Sequence, residues 1–304
     1  MAKTAAKGFF QAGLRYPLEA AALYVALSVF RCLPVERASN FGAWLGRSIG
    51  PRLAITRRAR RNLHLAFPEI SAAEREAIVL GMWDNLGRVV GEYCHLKEIT
   101  APESGRVLGV GFEHTDPLRR REHAGITVSG HLANWEILPV VAAREGLCFT
   151  SIVREPNNPL VRRTLASLRG VSGGKRAPKG REGAKQAIRV LKAGETLGLL
   201  VDQKMNDGIS VPFFGQPAMT APAVAQLALR FGCPVYPVRI ERLGPARFRM
   251  TCYPALSLPD SGERQADVQQ AMETINGMLE TWIRERPAEW LWLHRRWPKN
   301  VSED

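Results

Sequence analysis

The chain has 304 residues, 45% of them hydrophobic and 23% charged, which excludes disorder, collagen and coiled coil as overall descriptions and leaves a core large enough to need no staples. Forty-two Lys/Arg against twenty-nine Asp/Glu give a net charge of +13, a surplus that draws polyanions such as nucleic acid, anionic lipid or a phosphorylated substrate. Five cysteines, odd in number and never in a C-x-x-C, argue against a disulfide scaffold or zinc ribbon and for a reducing compartment.

The charge concentrates at the N-terminus. Residues 1–62 hold eleven Lys/Arg against Glu19 and Glu36, so +9 of the +13 sits in a fifth of the chain. Interleaved with it are apolar stretches at 20–30 and 41–45. The first has eleven uncharged residues between Glu19 and Arg31, where an upright span needs about 20. A secretory signal is disfavoured, because the basic region is short and no small-residue cleavage site follows. The reading is a membrane-associated helical segment over 1–62, lying in the interface or tilted, with basic flanks on anionic headgroups. The plainer alternative is an amphipathic packing helix.

From residue 63 onward the pattern is that of one enzyme-sized domain, 63–304. Ser71-Ala-Ala-Glu74 predicts a capping box that opens a helix reaching about Leu96. Apolar runs predict strands at 107–112, 125–129, 148–153, 196–201, 234–241 and 247–253. Helical periodicity covers 159–169, 181–192, 220–231 and 264–286. That alternation predicts an α/β fold, a mixed and mostly parallel sheet flanked by helices. The Gly/Lys/Arg-rich stretch 170–183 reads as a loop.

Ligands of such folds bind outside the carboxyl ends of strands. Three predicted strand ends are polar: Gly130-His131-Leu132-Ala133-Asn134-Trp135-Glu136, Arg154 with Asn157 and Asn158, and Asp202-Gln203-Lys204. On a regular helix His131 and Glu136 would face about 140° apart. They meet only if His131 lies in the loop and Glu136 in the first turns of the next helix, with Asn134 as N-cap. Glu136 would then hold one imidazole nitrogen and leave the other as a general base.

His131-x4-Glu136 resembles the H-x4-D/E motif of the lysophospholipid-acyltransferase-like superfamily. The blocks RARRNLHLAFPE (58–69), GHLANWE (130–136), VREPNNP (153–159), LLVDQ (199–203), VPFFGQPAMT (211–220) and WLWLHRRWP (290–298) resemble the bacterial lipid A late acyltransferases, in order over nearly the whole chain. The resemblance implies a glycerolipid-acyltransferase-like α/β enzyme at the cytoplasmic face of the inner membrane, in contact with its phospholipid. It implies acyl transfer from acyl carrier protein to the hydroxyl of a hydroxyacyl chain on a lipid A precursor, with no cofactor and no metal. It also implies His131 as base, Glu136 as its partner, Arg169 as the essential arginine and Asp202 as the strand-end acid. Arg154, Asn134 and the Arg295–Arg296 pair are further candidates for substrate contact. The glycerol-phosphate branch is disfavoured, because FPE stands at 67–69, ahead of His131.

Four of the seven tryptophans (Trp282, Trp290, Trp292 and Trp297) lie in the last 23 residues, and Trp290-Leu291-Trp292-Leu293-His294 alternates as a strand or extended chain. No nucleic-acid-binding module, Walker A loop or Rossmann fingerprint is present, and no His/Cys/Asp/Glu group has metal-ligand spacing. No Ser or Cys stands in a nucleophile elbow near His131, which predicts direct transfer without an acyl-enzyme. Two readings stay open beside this one: acyl transfer to another glycolipid, such as a phosphatidylinositol mannoside, and a noncatalytic lipid-binding protein.

Overall fold

The structure, a computed structural model, describes residue 13 and residues 15–153, 156–170 and 174–298, the backbone alone over 166–170. Helices α1 (Tyr16–Arg31), α2 (Val35–Ile49), α3 (Thr56–Ala66), α4 (Ala72–Glu92) and the short α5 (Leu96–Thr100) precede the sheet. The α4 start is the predicted capping box: Ser71 Oγ accepts from the Glu74 amide and Glu74 reaches back to the Ser71 amide. Then β1 (Val107–Val110), the short α6 (Asp116–Arg119), β2 (Gly125–Ser129), α7 (Ile137–Arg144), β3 (Phe149–Val153), α8 (Pro159–Gly170), β4 (Lys175–Pro178), α9 (Arg181–Lys192) and β5 (Thr196–Leu200) alternate. A hairpin, β6 (Lys204–Phe213) with β7 (Gln216–Thr220), leads to α10 (Ala223–Phe231), β8 (Val235–Gly244), β9 (Arg247–Cys252) and α11 (Arg264–Glu285).

Seven strands form one sheet in the order β1-β9-β8-β2-β5-β3-β4. Every neighbouring pair is parallel except β8–β9, so the sheet is mixed and mostly parallel, as the sequence predicts. All five residues of β2 are buried, as expected for a central parallel strand covered on both faces. Stretch 170–183, read as a loop, contains β4 and the start of α9. The C-terminal block is not a strand. Its one ladder contact is the antiparallel bridge Leu132↔Trp290, and the chain turns so that Trp290, Trp292 and Trp297 are all buried against Phe213, Phe214 and Phe67.

The N-terminal helices are continuous with this fold. Helix α2 lies backbone to backbone on α4: a Cβ on Gly42 would stand 2.2 Å from the Gly87 oxygen, and one on Gly87 would stand 2.0 Å from the Gly42 oxygen. The basic run on α3 divides its labour. Arg58 and Arg61 donate to the carbonyls of Leu293 and Pro298, and Asn62 donates to those of Trp292 and His294, while Arg60 pairs with Glu76. Arg58 and Arg61 therefore clamp the C-terminal block, and only Arg57 of the run is exposed. None of the described helices is long and apolar enough to cross a membrane. Helix α1 nevertheless leaves Leu18, Tyr24, Val25 and Val29 exposed, and α2 leaves Phe41, Trp44 and Ile49 exposed.

Candidate active site

Strands β2 and β5 pair with Ser129 opposite Leu200. Two residues beyond each partner, His131 and Asp202 leave their strands side by side. The Asp202 Oδ2 accepts the His131 amide at 2.7 Å, and Oδ1 accepts the imidazole Nδ1–H at 2.8 Å. The Trp290 indole donates to Oδ2, also at 2.7 Å. Asp202 is fully buried. Burial works against its charge, but the His131 and His294 rings and the donated hydrogen bonds outweigh it and hold the carboxyl well below the usual range.

The far ring nitrogen, Nε2 of His131, lies 3.2 Å from Gln203 Nε2, which is also 3.3 Å from His294 Nε2. Lys179 Nζ donates to Gln203 Oε1 at 2.8 Å. Trp135 and His294 meet the His131 ring edge-on, with centroids 5.1 and 4.8 Å away. Burial and the neighbouring His131 push His294 down to about 4. At neutral pH its ring is therefore uncharged.

These groups open onto a cavity of about 380 Å³. It runs between α7 and the sheet, with Leu138, Val141 and Ala142 on one wall and Val128, Phe149 and Leu199 on the other. His131, Trp135, Glu136, Gln203 and His294 line one end. At the other, beyond the C-terminus of α7, stand Arg119 and Glu145, which pair at 3.4 Å. An α-helix of this length covers about 12 Å. An apolar cavity with an oriented imidazole in its lining suits a hydrocarbon chain carrying a reactive head group.

The structure revises several expected site residues. The carboxylate on the His131 ring is Asp202 rather than Glu136. The parallel register brings the two strand ends together, whereas Ala133, at φ 45°, turns the loop before Glu136. Glu136 lines the same cavity and starts α7 with its backbone, without a side-chain cap. Asn134 is no cap either. It is fully buried and donates to Glu92 Oε2 at 2.8 Å. Glu92, itself buried, also accepts from Ser39 and from both terminal nitrogens of Arg242, so Asn134 anchors the His131 loop from behind.

Asp202 is fully buried, so its carboxylate serves His131 and not a substrate. Arg296 is fully buried, donates to Thr220 Oγ1, Asn276 Oδ1 and the Met219 carbonyl, and stacks on Phe213. It is a core clamp, since the second of two adjacent side chains points inward. Arg295 is exposed. Arg169 sits in the last turn of α8, its side chain outside the described residues, and Arg154 lies outside them altogether. Sequence reasoning missed Gln203, His294 and Lys179. Their signal was present: Gln203 follows Asp202 directly, and His294 stands inside the tryptophan block.

Comparisons with known proteins bear on the chain as a whole. The Escherichia coli (strain K12) lipid A biosynthesis myristoyltransferase is 28% identical over 268 residues, 87% of this chain and 80% of its own. The palmitoleoyltransferase of the same strain is 28% identical over 246 residues, 78% and 77% of the two chains. Its lauroyltransferase is 26% identical over 277 residues, 87% and 86%. The family described as bacterial lipid A biosynthesis acyltransferase matches residues 9–299, and the chain belongs to it.

Proposed function

We propose that this acyltransferase moves a fatty acyl group from an acyl-carrier-protein thioester to the hydroxyl of a hydroxyacyl chain on a lipid A precursor. The observation that carries the reading is the His131–Asp202 pair, with the imidazole in the lining of an apolar cavity. A thioester is already activated, so the enzyme needs a base for the alcohol and a donor for the oxyanion. With Nδ1–H given to Asp202, Nε2 carries the lone pair that takes the hydroxyl proton. Asp202 fixes that tautomer and stabilises the imidazolium that forms. Glu136, on the wall of the same cavity, is the second carboxylate near the reacting groups. The acyl chain lies along α7, whose length matches about ten extended carbon–carbon bonds.

Transfer is direct, in a ternary complex. Arg169, with Arg154 and Arg295, is assigned to phosphate groups of the acceptor, which suit guanidinium geometry. The exposed apolar residues of α1 and α2, with the N-terminal basic surplus, rest on the cytoplasmic leaflet of the inner membrane. Residues 1–62 are the membrane-contacting segment and 63–304 the catalytic domain. Mass spectrometry of total lipid A from cells with and without the protein tests the acceptor: one secondary acyl chain should disappear with it. An unchanged lipid A would overturn the assignment.

A further inference from the structure

The side chains around Gln203 fix its orientation. Lysine can only donate, so the amide atom 2.8 Å from Lys179 Nζ is the oxygen. The amide nitrogen therefore faces the two imidazoles, at 3.2 and 3.3 Å. Each ring must present a lone pair at Nε2 to receive it. For His131 that is the tautomer that Asp202 selects from the other side. The resting site thus has its proton-accepting nitrogen covered by an N–H donor. An acceptor hydroxyl that reaches His131 Nε2 displaces that donor. Once the ring is protonated at Nε2 the donor cannot return. The second amide N–H keeps its hold on His294, so the amide pivots instead of leaving.

We propose that Gln203 is a catalytic residue: its N–H, released from His131 by the incoming hydroxyl, donates to the thioester carbonyl oxygen as that oxygen becomes an anion. The inference rests on the acyl-transfer reading above. The alcohol oxygen bonds to the carbonyl carbon while its proton goes to His131 Nε2, and the carbonyl π pair moves onto the oxygen held by Gln203. The pair then returns, the carbon–sulfur bond breaks, and the thiolate takes the proton from His131. Ester and thiol are the only products, with no net gain or loss of protons. Among the described residues Gln203 is the side-chain donor within hydrogen-bond reach of Nε2, where an attacking oxygen will sit. The Lys179 ammonium on its oxygen polarises the amide and strengthens the N–H as a donor.

The test uses the full-length purified protein, an acyl-carrier-protein thioester and two inert analogues of that acyl group, an anionic tetrahedral phosphonate and a neutral amide. Gln203→Leu should lower kcat by about 10²–10³, the usual effect of removing one oxyanion donor, with the thioester KM within about threefold of the parent. Phosphonate affinity should fall by a similar factor, and amide-analogue affinity should hold. Gln203→Glu keeps the Lys179 contact but has no N–H, and should behave alike; it carries the test if the leucine variant does not fold. Lys179→Met should cost roughly tenfold in kcat. Equal loss of both analogues, or a kcat within about threefold of the parent, overturns the proposal. A parent protein that leaves the thioester intact with every hydroxylated acceptor overturns the acyl-transfer reading instead.

Discussion

Trp290 donates its indole hydrogen to the Asp202 oxygen that also receives the His131 backbone amide. One buried carboxylate thus holds the C-terminal block, the β2 loop and the imidazole in a single position. Asp202→Asn keeps the shape but removes the charge and the acceptor pattern that selects the His131 tautomer. We expect kcat to fall by about 10² or more with a small change in KM, read by steady-state kinetics on the thioester.

His131→Ala should lower turnover by about 10²–10⁴, the range for loss of a general base. Glu136→Gln should cost less, because the ring keeps its Asp202 contact. Intact-protein mass spectrometry during turnover should find no covalent acyl group. Ping-pong kinetics would exclude direct transfer.

His294 predicts a pH dependence of stability. In the unfolded chain its ring takes up a proton near pH 6.5, in the folded protein only near 4. Between those values unfolding binds a proton, so stability falls as pH falls, by about 3 kcal/mol in all. Asp202, held below the usual carboxylate range, adds its own loss only below about pH 4. Urea titrations between pH 7 and 4 should show this slope, and His294→Asn should flatten it.

Two buried networks should respond in stability. Glu92→Gln leaves the Arg242 guanidinium without its charge partner and weakens the anchor of Asn134; we expect a loss of about 3–5 kcal/mol. Arg296→Met strips hydrogen bonds from Thr220, Asn276 and Met219 and should cost about 2–4 kcal/mol. Its KM for a phosphorylated acceptor should stay unchanged below the melting transition. A selective rise in that KM would return Arg296 to the substrate site.

Membrane contact is best tested on exposed side chains. Deleting residues 1–40 would cut into α2 and its seat on α4, so loss of binding would be confounded with unfolding. Tyr24→Gln, Val25→Gln and Trp44→Gln combined should weaken cosedimentation with anionic vesicles roughly tenfold without lowering the Tm. Vesicle binding of the triple variant unchanged from the parent would rule out this face as the contact.

The sheet was legible because its central strands are short apolar runs with sharp polar ends: β2 occupies the predicted residues 125–129, and α9 occupies 181–192. The β6–β7 hairpin was not, because its turn places Phe214 at φ 53° ahead of Gly215 at φ 70°, and phenylalanine is no signal for a left-handed position. Strand β4, Lys-Arg-Ala-Pro, is charged and lies at the sheet edge, where composition resembles a loop. In the site, His131 was legible from its place after a strand. Its partner was not. Asp202 lies 71 residues away and reaches the ring only through strand order, while Glu136 satisfied a local spacing that the loop does not use.

At Gly42 and Gly87 no side chain stands between the backbones of α2 and α4. On one flank of that seam stand Trp44 and Ile49, facing solvent; on the other, Ser39 binds Glu92, and Glu92 binds Asn134 three residues past His131. The outer helix and the His131 loop are thus joined by one glycine seam and two successive buried hydrogen bonds, so a bulkier residue at Gly42 or Gly87 would displace both together.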